Sequence, residues 1–151
     1  MEKIELQELG GVVERVLKRL PSKEAGASLI ALRGDLGAGK TTFVQALGRA
    51  LGVEETMQSP TYVLMKSYRV SRSGYTKLIH IDAYRLKNGE EFAALKPELF
   101  LKDPKNLVCV EWFERVESVL PKPDITIEFS SDLPAGEAGA AGSGERYIKV
   151  V

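Results

Sequence analysis

The segment GDLGAGKT, from Gly34 to Thr41, constrains this chain more than any other stretch of it. It fits G-x-x-x-x-G-K-[S/T] without a mismatch. With average residue frequencies, that pattern arises by chance in on the order of 1 in 200 chains of this length. The flanks sharpen it. SLIALR, Ser28 to Arg33, is a short apolar run that predicts a buried parallel strand, and a helix is predicted from about Lys40 to Leu51, closed by Gly52. Gly34, Gly37 and Gly39, with the small Ala38, allow successive N–H groups to point into one concavity, where a bulky side chain would block a phosphate. The helix N-terminus adds partial positive charge at the same spot. Lys40 then reaches the β- and γ-phosphates as a point charge, the Thr41 hydroxyl is the expected magnesium ligand, and Thr42 adds a hydrogen bond to the α-phosphate. The competing reading is a glycine-rich turn that caps a helix and leaves the lysine exposed.

Around this loop the pattern is that of an α/β chain. Val12, Val13, Val16, Leu17 and Leu20 recur at helical spacing and predict an amphipathic helix ending near Pro21. Tyr62 to Val70 and Tyr75 to Ile81 read as strands of an antiparallel hairpin, separated by Ser71 to Gly74. Glu90 to Leu101 predicts a helix interrupted or restarted around Pro97. Leu107 to Val110 predicts a buried strand, followed by a short helix that ends before Pro121. Asp124 to Phe129 and Arg146 to Val151 alternate as a final strand pair. Between them Ser130 to Gly144 is rich in Gly, Ala and Ser, so 131–144 is expected to be a flexible loop. The expected architecture is a mixed sheet with a parallel core, antiparallel strands at its margins, and flanking helices, in one domain spanning 1–151.

Charge narrows the function classes. The 151 residues carry 21 basic and 21 acidic side chains, so the chain has no strong electrostatic footprint for nucleic acid. A nucleic-acid role is expected to run through a partner. The acidic start MEKIELQELG lacks the basic, apolar layout of a signal peptide, and no stretch approaches the ~18 apolar residues of a membrane span, so a soluble intracellular protein is expected. The lone thiol, Cys109, is flanked by Val108 and Val110 and is expected to be inert core.

Magnesium and an attacking water need a carboxylate at the end of a strand beside the loop. Asp82 ends KLIHID and Glu111 ends LVCVE, each after an apolar run. Asp82 also reads as a turn or cap residue before Ala83 and Tyr84, and Glu111 as a cap on the following helix. The only histidine, His80, lies two residues before Asp82 on the same strand face, with a structural reading favoured over a catalytic one.

Four segments in order make the set specific: GDLGAGKTTF (Gly34 to Phe43), SPTY (Ser59 to Tyr62), HIDAYRL (His80 to Leu86) and VEW (Val110 to Trp112). Together they resemble the TsaE family (formerly YjeE), the bacterial ATPase of tRNA threonylcarbamoyladenosine synthesis, from about Gln7 to Phe129. The resemblance implies a P-loop NTPase-like sheet, ATP and Mg2+ as ligands, and slow, partner-stimulated hydrolysis. It implies a cytoplasmic protein that acts on the TsaD–TsaB complex and meets tRNA only indirectly, with no membrane role. Residue by residue, it assigns phosphate and magnesium roles to Lys40, Thr41 and Thr42, and a switch-like loop near the γ-phosphate to Ser59, Pro60 and Thr61. Asp82 matches a Walker B-type aspartate, Glu111 a further magnesium-site carboxylate, and Trp112 an aromatic beside the nucleotide. Gln7 is a weak match to an N-terminal segment that approaches the nucleotide. Without the family, Ser59 to Thr61 is a loop entering a strand, Tyr84 and Arg85 are surface packing, and Trp112 is core or interface.

Two other functions compete. A small P-loop kinase acting on a metabolite would need arginines in a lid over the transferred phosphate, and Ser130 to Gly144 contains none. A nucleotide-gated binding module with negligible turnover fits a chain that has no obvious strong base for water. Guanine recognition is disfavoured, because no N-K-x-D segment is present.

Overall fold

The apolar run before the glycine loop becomes the centre of a seven-stranded sheet. The computed structural model describes residues 1–57, 64–131 and 145–151. In chain order, the strands are β1 Glu2–Ile4, β2 Ser28–Gly34, β3 Met65–Arg69, β4 Lys77–Asp82, β5 Asn106–Glu111, β6 Ile125–Ser131 and β7 Arg146–Val150. The helices are α1 Leu9–Arg19, α2 Lys40–Ala50, α3 Gly89–Ala93 and α4 Glu98–Leu101, with 3-10 turns at Leu6–Glu8, Phe113–Arg115 and Glu117–Val119.

The sheet order is β1-β7-β6-β2-β5-β4-β3. β6, β2, β5 and β4 are parallel, whereas β3 and the β7–β1 pair are antiparallel at the two margins. Parallel strands covered on both faces must be apolar throughout, and all six residues of β5 are buried. Two apolar layers sandwich the sheet. One packs α1 and α2, through Val12, Val13, Val16, Phe43, Val44 and Leu47, onto Ile30, Leu32, Leu78, Leu107 and Ile127. The other packs Phe92, Phe100, Phe113 and Val116 onto Leu29, Ala31, Ile79, Ile81, Val108 and Val110. Each wholly buried Leu, Ile or Phe contributes about 1.5–3 kcal/mol to that packing. Cys109 is fully buried in the first layer, and burial pushes its thiol well above the ordinary range, as befits an inert core position.

The expected fold class is the observed one, a P-loop NTPase-like α/β sheet. Its boundaries differ in several places. β1 and the 3-10 turn after it have no counterpart in the sequence reading: EKI has no alternating pattern, and its strand exists because Glu2 and Ile4 pair with Ile148 and Arg146. Ser130 and Ser131 extend β6 by pairing with Tyr147 and Arg146, so the strand runs into the segment read as loop; 132–144 lies outside the described residues. Of the first hairpin strand, Tyr62 and Val63 lie outside them too, and pairing runs from Met65 opposite Ile81 to Arg69 opposite Lys77. The helix at Glu90 to Leu101 is two, broken where Lys96 adopts φ +52° before Pro97. The single short helix before Pro121 is two 3-10 turns, interrupted at Val116. Among the described residues, no helix is long and apolar enough to cross a membrane.

Candidate functional site

Strand register builds the site. Asp82 stands opposite Glu111 and His80 opposite Cys109 in the β4–β5 pair, while Leu32 stands opposite Glu111 between β2 and β5. Side chains alternate along a strand, and Leu78, Leu107 and Cys109 belong to the α1–α2 layer. His80, Asp82 and Glu111 share their parity, so all three face the side of the sheet that carries α2. They lie at the C-terminal ends of parallel strands, where α/β sheets bind ligands. The glycine loop leaves β2 at that same end.

The loop turns through left-handed backbone at Gly34 (φ +140°), Gly37 (φ +77°) and Gly39 (φ +108°). At Gly34 the absence of a side chain is also a packing requirement, because a Cβ there would stand 2.4 Å from the carbonyl oxygen of Phe129. Lys40 folds back over the loop. Its Nζ donates to the carbonyls of Gly34 (2.5 Å) and Asp35 (2.7 Å) and lies 4.3 Å from the centre of the Trp112 ring. The side chain is only 4% exposed, and burial holds its ammonium below the usual lysine range. Glu111, Glu114, Asp35 and Asp82 pull the other way. The exposed lysine of the competing reading is therefore absent.

Beneath the loop, a chain of polar contacts runs from α2 to β4. Thr41 Oγ1 donates to Glu111 Oε1 at 2.8 Å, and Glu111 Oε2 lies 2.5 Å from His80 Nε2. A carboxylate only accepts, so His80 Nε2 carries the proton of that bond. Its Nδ1 is buried and has no hydrogen-bond partner among the described residues. His80 is thus a buried polar group that holds a site carboxylate. Glu111 does not cap the following turn; it points at Thr41. Asp82 fills both of its readings. Its Oδ1 accepts from the Tyr84 N–H at 3.0 Å, as a turn residue does, while the carboxylate lines the cavity below the loop. Burial raises the Asp82 carboxyl above the usual range; the Tyr84 N–H lowers it and the Glu111 charge adds to the rise.

His80→Ala is expected to destabilise the chain by about 3 kcal/mol, because it leaves Glu111 buried without that partner. His80→Gln, which keeps a donor, should recover part of the loss. Urea unfolding checks this, and wild-type stability in the alanine variant would refute the account.

Trp112 adopts a left-handed backbone (φ +57°), which ends β5 at once and turns the indole over Lys40. Tyr84 packs against it at 5.0 Å, and the Arg115 guanidinium sits 5.6 Å from the same ring. Trp112 and Tyr84 thereby line the cavity rather than plain surface or core. That cavity, of about 290 Å³, is also lined by Lys40, Thr41, Asp82 and Glu111. A small apolar slot of about 50 Å³ opens beside it, between Ile4, Leu6, Leu9, Ala38, Phe129 and Ile148. Gly39, Thr42 and Arg146 line both spaces. Gln7 lines neither; its side chain turns to Glu5. Ser59, Pro60 and Thr61 lie outside the described residues. Arg146 was not singled out in the sequence. The signal was there in its parity with Ile148, which places it on the α2 face of β7.

A family model described as "Threonylcarbamoyl adenosine biosynthesis protein TsaE" matches residues 4–137. A Treponema pallidum protein named tRNA threonylcarbamoyladenosine biosynthesis protein TsaE is 39% identical over 119 residues, 78% of each chain. A protein of the same name from Synechocystis is 44% identical over 92 residues, which is 59% of this chain and 56% of that one. The match thus spans little more than half of the Synechocystis relative. The crystal structure of Bacillus subtilis YdiB superposes with a TM-score of 0.60 at 20% identity, over 98% of this chain and 81% of that one, a likeness of fold. With the family match over most of its length and the P-loop architecture beneath it, this chain belongs to the TsaE family of threonylcarbamoyladenosine biosynthesis proteins.

Proposed function

We propose that the chain binds ATP with magnesium and hydrolyses it slowly, and that it serves threonylcarbamoyladenosine formation on tRNA by acting on a TsaD–TsaB pair in the cytoplasm. The observation that carries this reading is convergence: the loop lysine, the Thr41 hydroxyl and the carboxylates of Asp82 and Glu111 all line one cavity. The donor set suits magnesium. Thr41, Asp82 and Glu111 offer hard oxygen atoms, and among the described residues no cluster of three or more His, Cys, Asp or Glu could hold a metal by itself. That is how magnesium is ordinarily held at phosphates, by one or two carboxylates plus the substrate's own oxygens. When bound, the ion supplies positive charge at the phosphate oxygens.

The rest falls to the chain's own groups. Main-chain N–H groups from Gly37 to Thr41 and the start of α2 favour anionic oxygens. Lys40 exchanges its two carbonyl contacts for phosphate oxygens, and Thr42 bonds to the α-phosphate. Glu111, held by His80, orients the Thr41 hydroxyl, and Asp82 at the cavity wall orients water. The apolar slot beside Thr42 gives the base a face to pack on. With zero net charge, the chain reaches tRNA through its partner.

Hydrolysis by the purified chain, alone and with the TsaD–TsaB pair, tests this reading. Slow magnesium-dependent turnover that rises severalfold with the pair is expected. Phosphate transfer to a small molecule without any partner would replace this reading with that of a kinase. Failure to bind ATP at millimolar concentration would end the nucleotide reading.

A further inference from the structure

After β5 the chain passes straight into a 3-10 turn. Trp112 is its N-cap, and the Arg115 N–H closes it on the Trp112 carbonyl at 3.0 Å. Side chains three apart in such a turn eclipse one another, which brings Arg115 to the indole. Its guanidinium carbon sits 5.6 Å from the centre of the Trp112 ring and 5.5 Å from that of Tyr84. Nη1 donates to the Leu86 carbonyl at 3.4 Å. Among the described residues, no carboxylate pairs with this guanidinium. Arg115 therefore touches both segments that leave the acid-bearing strands: Tyr84 and Leu86 after Asp82, and Trp112 after Glu111.

The ring pair needs such a tie. Trp112 is held at φ +57°, a backbone that a side chain of this size avoids, and Tyr84 is 40% exposed. Rings with strained backbone on one side and water on the other have further rotamers within reach. A guanidinium is planar and more weakly hydrated than an ammonium, so it lies against rings at little cost in lost water. What the ring pair does is set by its other neighbour. The Lys40 ammonium lies 4.3 Å from the indole centre, inside the ~6 Å over which a ring face attracts a cation. Arg115 does not itself line the cavity, whereas Tyr84, Trp112 and Lys40 do.

We infer that Arg115 is a positioning residue for hydrolysis: it clamps Tyr84 and Trp112 into a fixed wall, and that wall aims the Lys40 ammonium. This rests on the nucleotide reading above. The loop amides hold phosphates without the wall, so the clamp acts on the rate and not on affinity.

Trp112 is the one tryptophan of the sequence, so its emission reports the wall directly. In Arg115→Ala, with no nucleotide added, the emission should shift to the red and acrylamide quenching should rise. Single-turnover hydrolysis should slow about fivefold, the worth of one partly exposed cation–ring contact, while ADP affinity by calorimetry stays within about twofold. Arg115→Lys should recover part of both changes. In a Trp112→Ala background, Arg115→Ala should slow hydrolysis no further, because the wall it holds is gone. Wild-type emission and rate in Arg115→Ala would overturn the inference and leave the nucleotide reading standing, even if the unfolding midpoint fell. A rate loss undiminished in the Trp112→Ala background would also overturn it, since the guanidinium would then act without the indole. A wild type that hydrolyses no ATP would remove the nucleotide reading and this role together.

Discussion

Lys40→Ala is expected to lower ATP hydrolysis at least about a hundredfold while the chain stays folded. Removing one preorganised positive or hydrogen-bonding group from a phosphoryl or oxyanion site costs that order of rate. The folded state has little to lose. Lys40 is buried, and burial, against the pull of Glu111, Glu114, Asp35 and Asp82, holds its ammonium below the ordinary lysine range. A lysine depressed in the folded state opposes folding most at pH below its folded value, and that penalty fades as pH rises through its ordinary value. Alanine removes the penalty but strands the carbonyls of Gly34 and Asp35, which can turn to water. The two effects oppose, so the unfolding midpoint should stay close to the wild type. Single-turnover hydrolysis and urea unfolding on the same preparation check both halves. Retained turnover would take the lysine out of the chemistry, and an unfolded variant would make it a structural residue.

Gly34→Ala should do the opposite, costing about 3 kcal/mol of stability before any nucleotide is added. The new methyl would stand 2.4 Å from the Phe129 carbonyl oxygen and 3.0 Å from its Cβ, contacts that β2 and β6 can relieve only by parting. The φ of +140° is a second penalty, since a residue with a Cβ avoids it. Gly37→Ala separates the two. Its φ is +77°, but nothing lies within 4 Å of the new carbon, so it should cost only about 1–2 kcal/mol. Equal losses for the two variants in denaturant unfolding would show that the approach of Phe129 is not what fixes Gly34.

Some of this was legible in the sequence, and the reason is range. β2, the loop and α2 are consecutive, so their spacing is written in one continuous string. The amphipathic stripe of α1 and the apolar runs of β4 and β5 are equally local. What the string does not write is register. Asp82 and Glu111 each ended a strand in the sequence, but that they stand side by side follows only from the parallel pairing of Leu78 with Leu107 onward. The same pairing turns His80 from a lone polar residue into the partner of Glu111. β1 escaped notice because three residues with two charges carry no strand signal until Ile148 and its neighbours supply a partner. Ser130 and Ser131 read as loop by composition and became strand by pairing. Trp112 is the hardest case, since a bulky side chain at φ +57° runs against its own backbone preference and is held by the rings and cations around it.

The shared parity of His80, Asp82 and Glu111 makes residue count as binding a specification as residue type. Deleting one position inside β4 would carry its acid to the opposite layer, among Phe92 and Phe113, whatever side chains remained. This chain should therefore tolerate exchange of one aliphatic side chain for another along these strands, whereas an insertion or deletion leaves the site intact only in the turns.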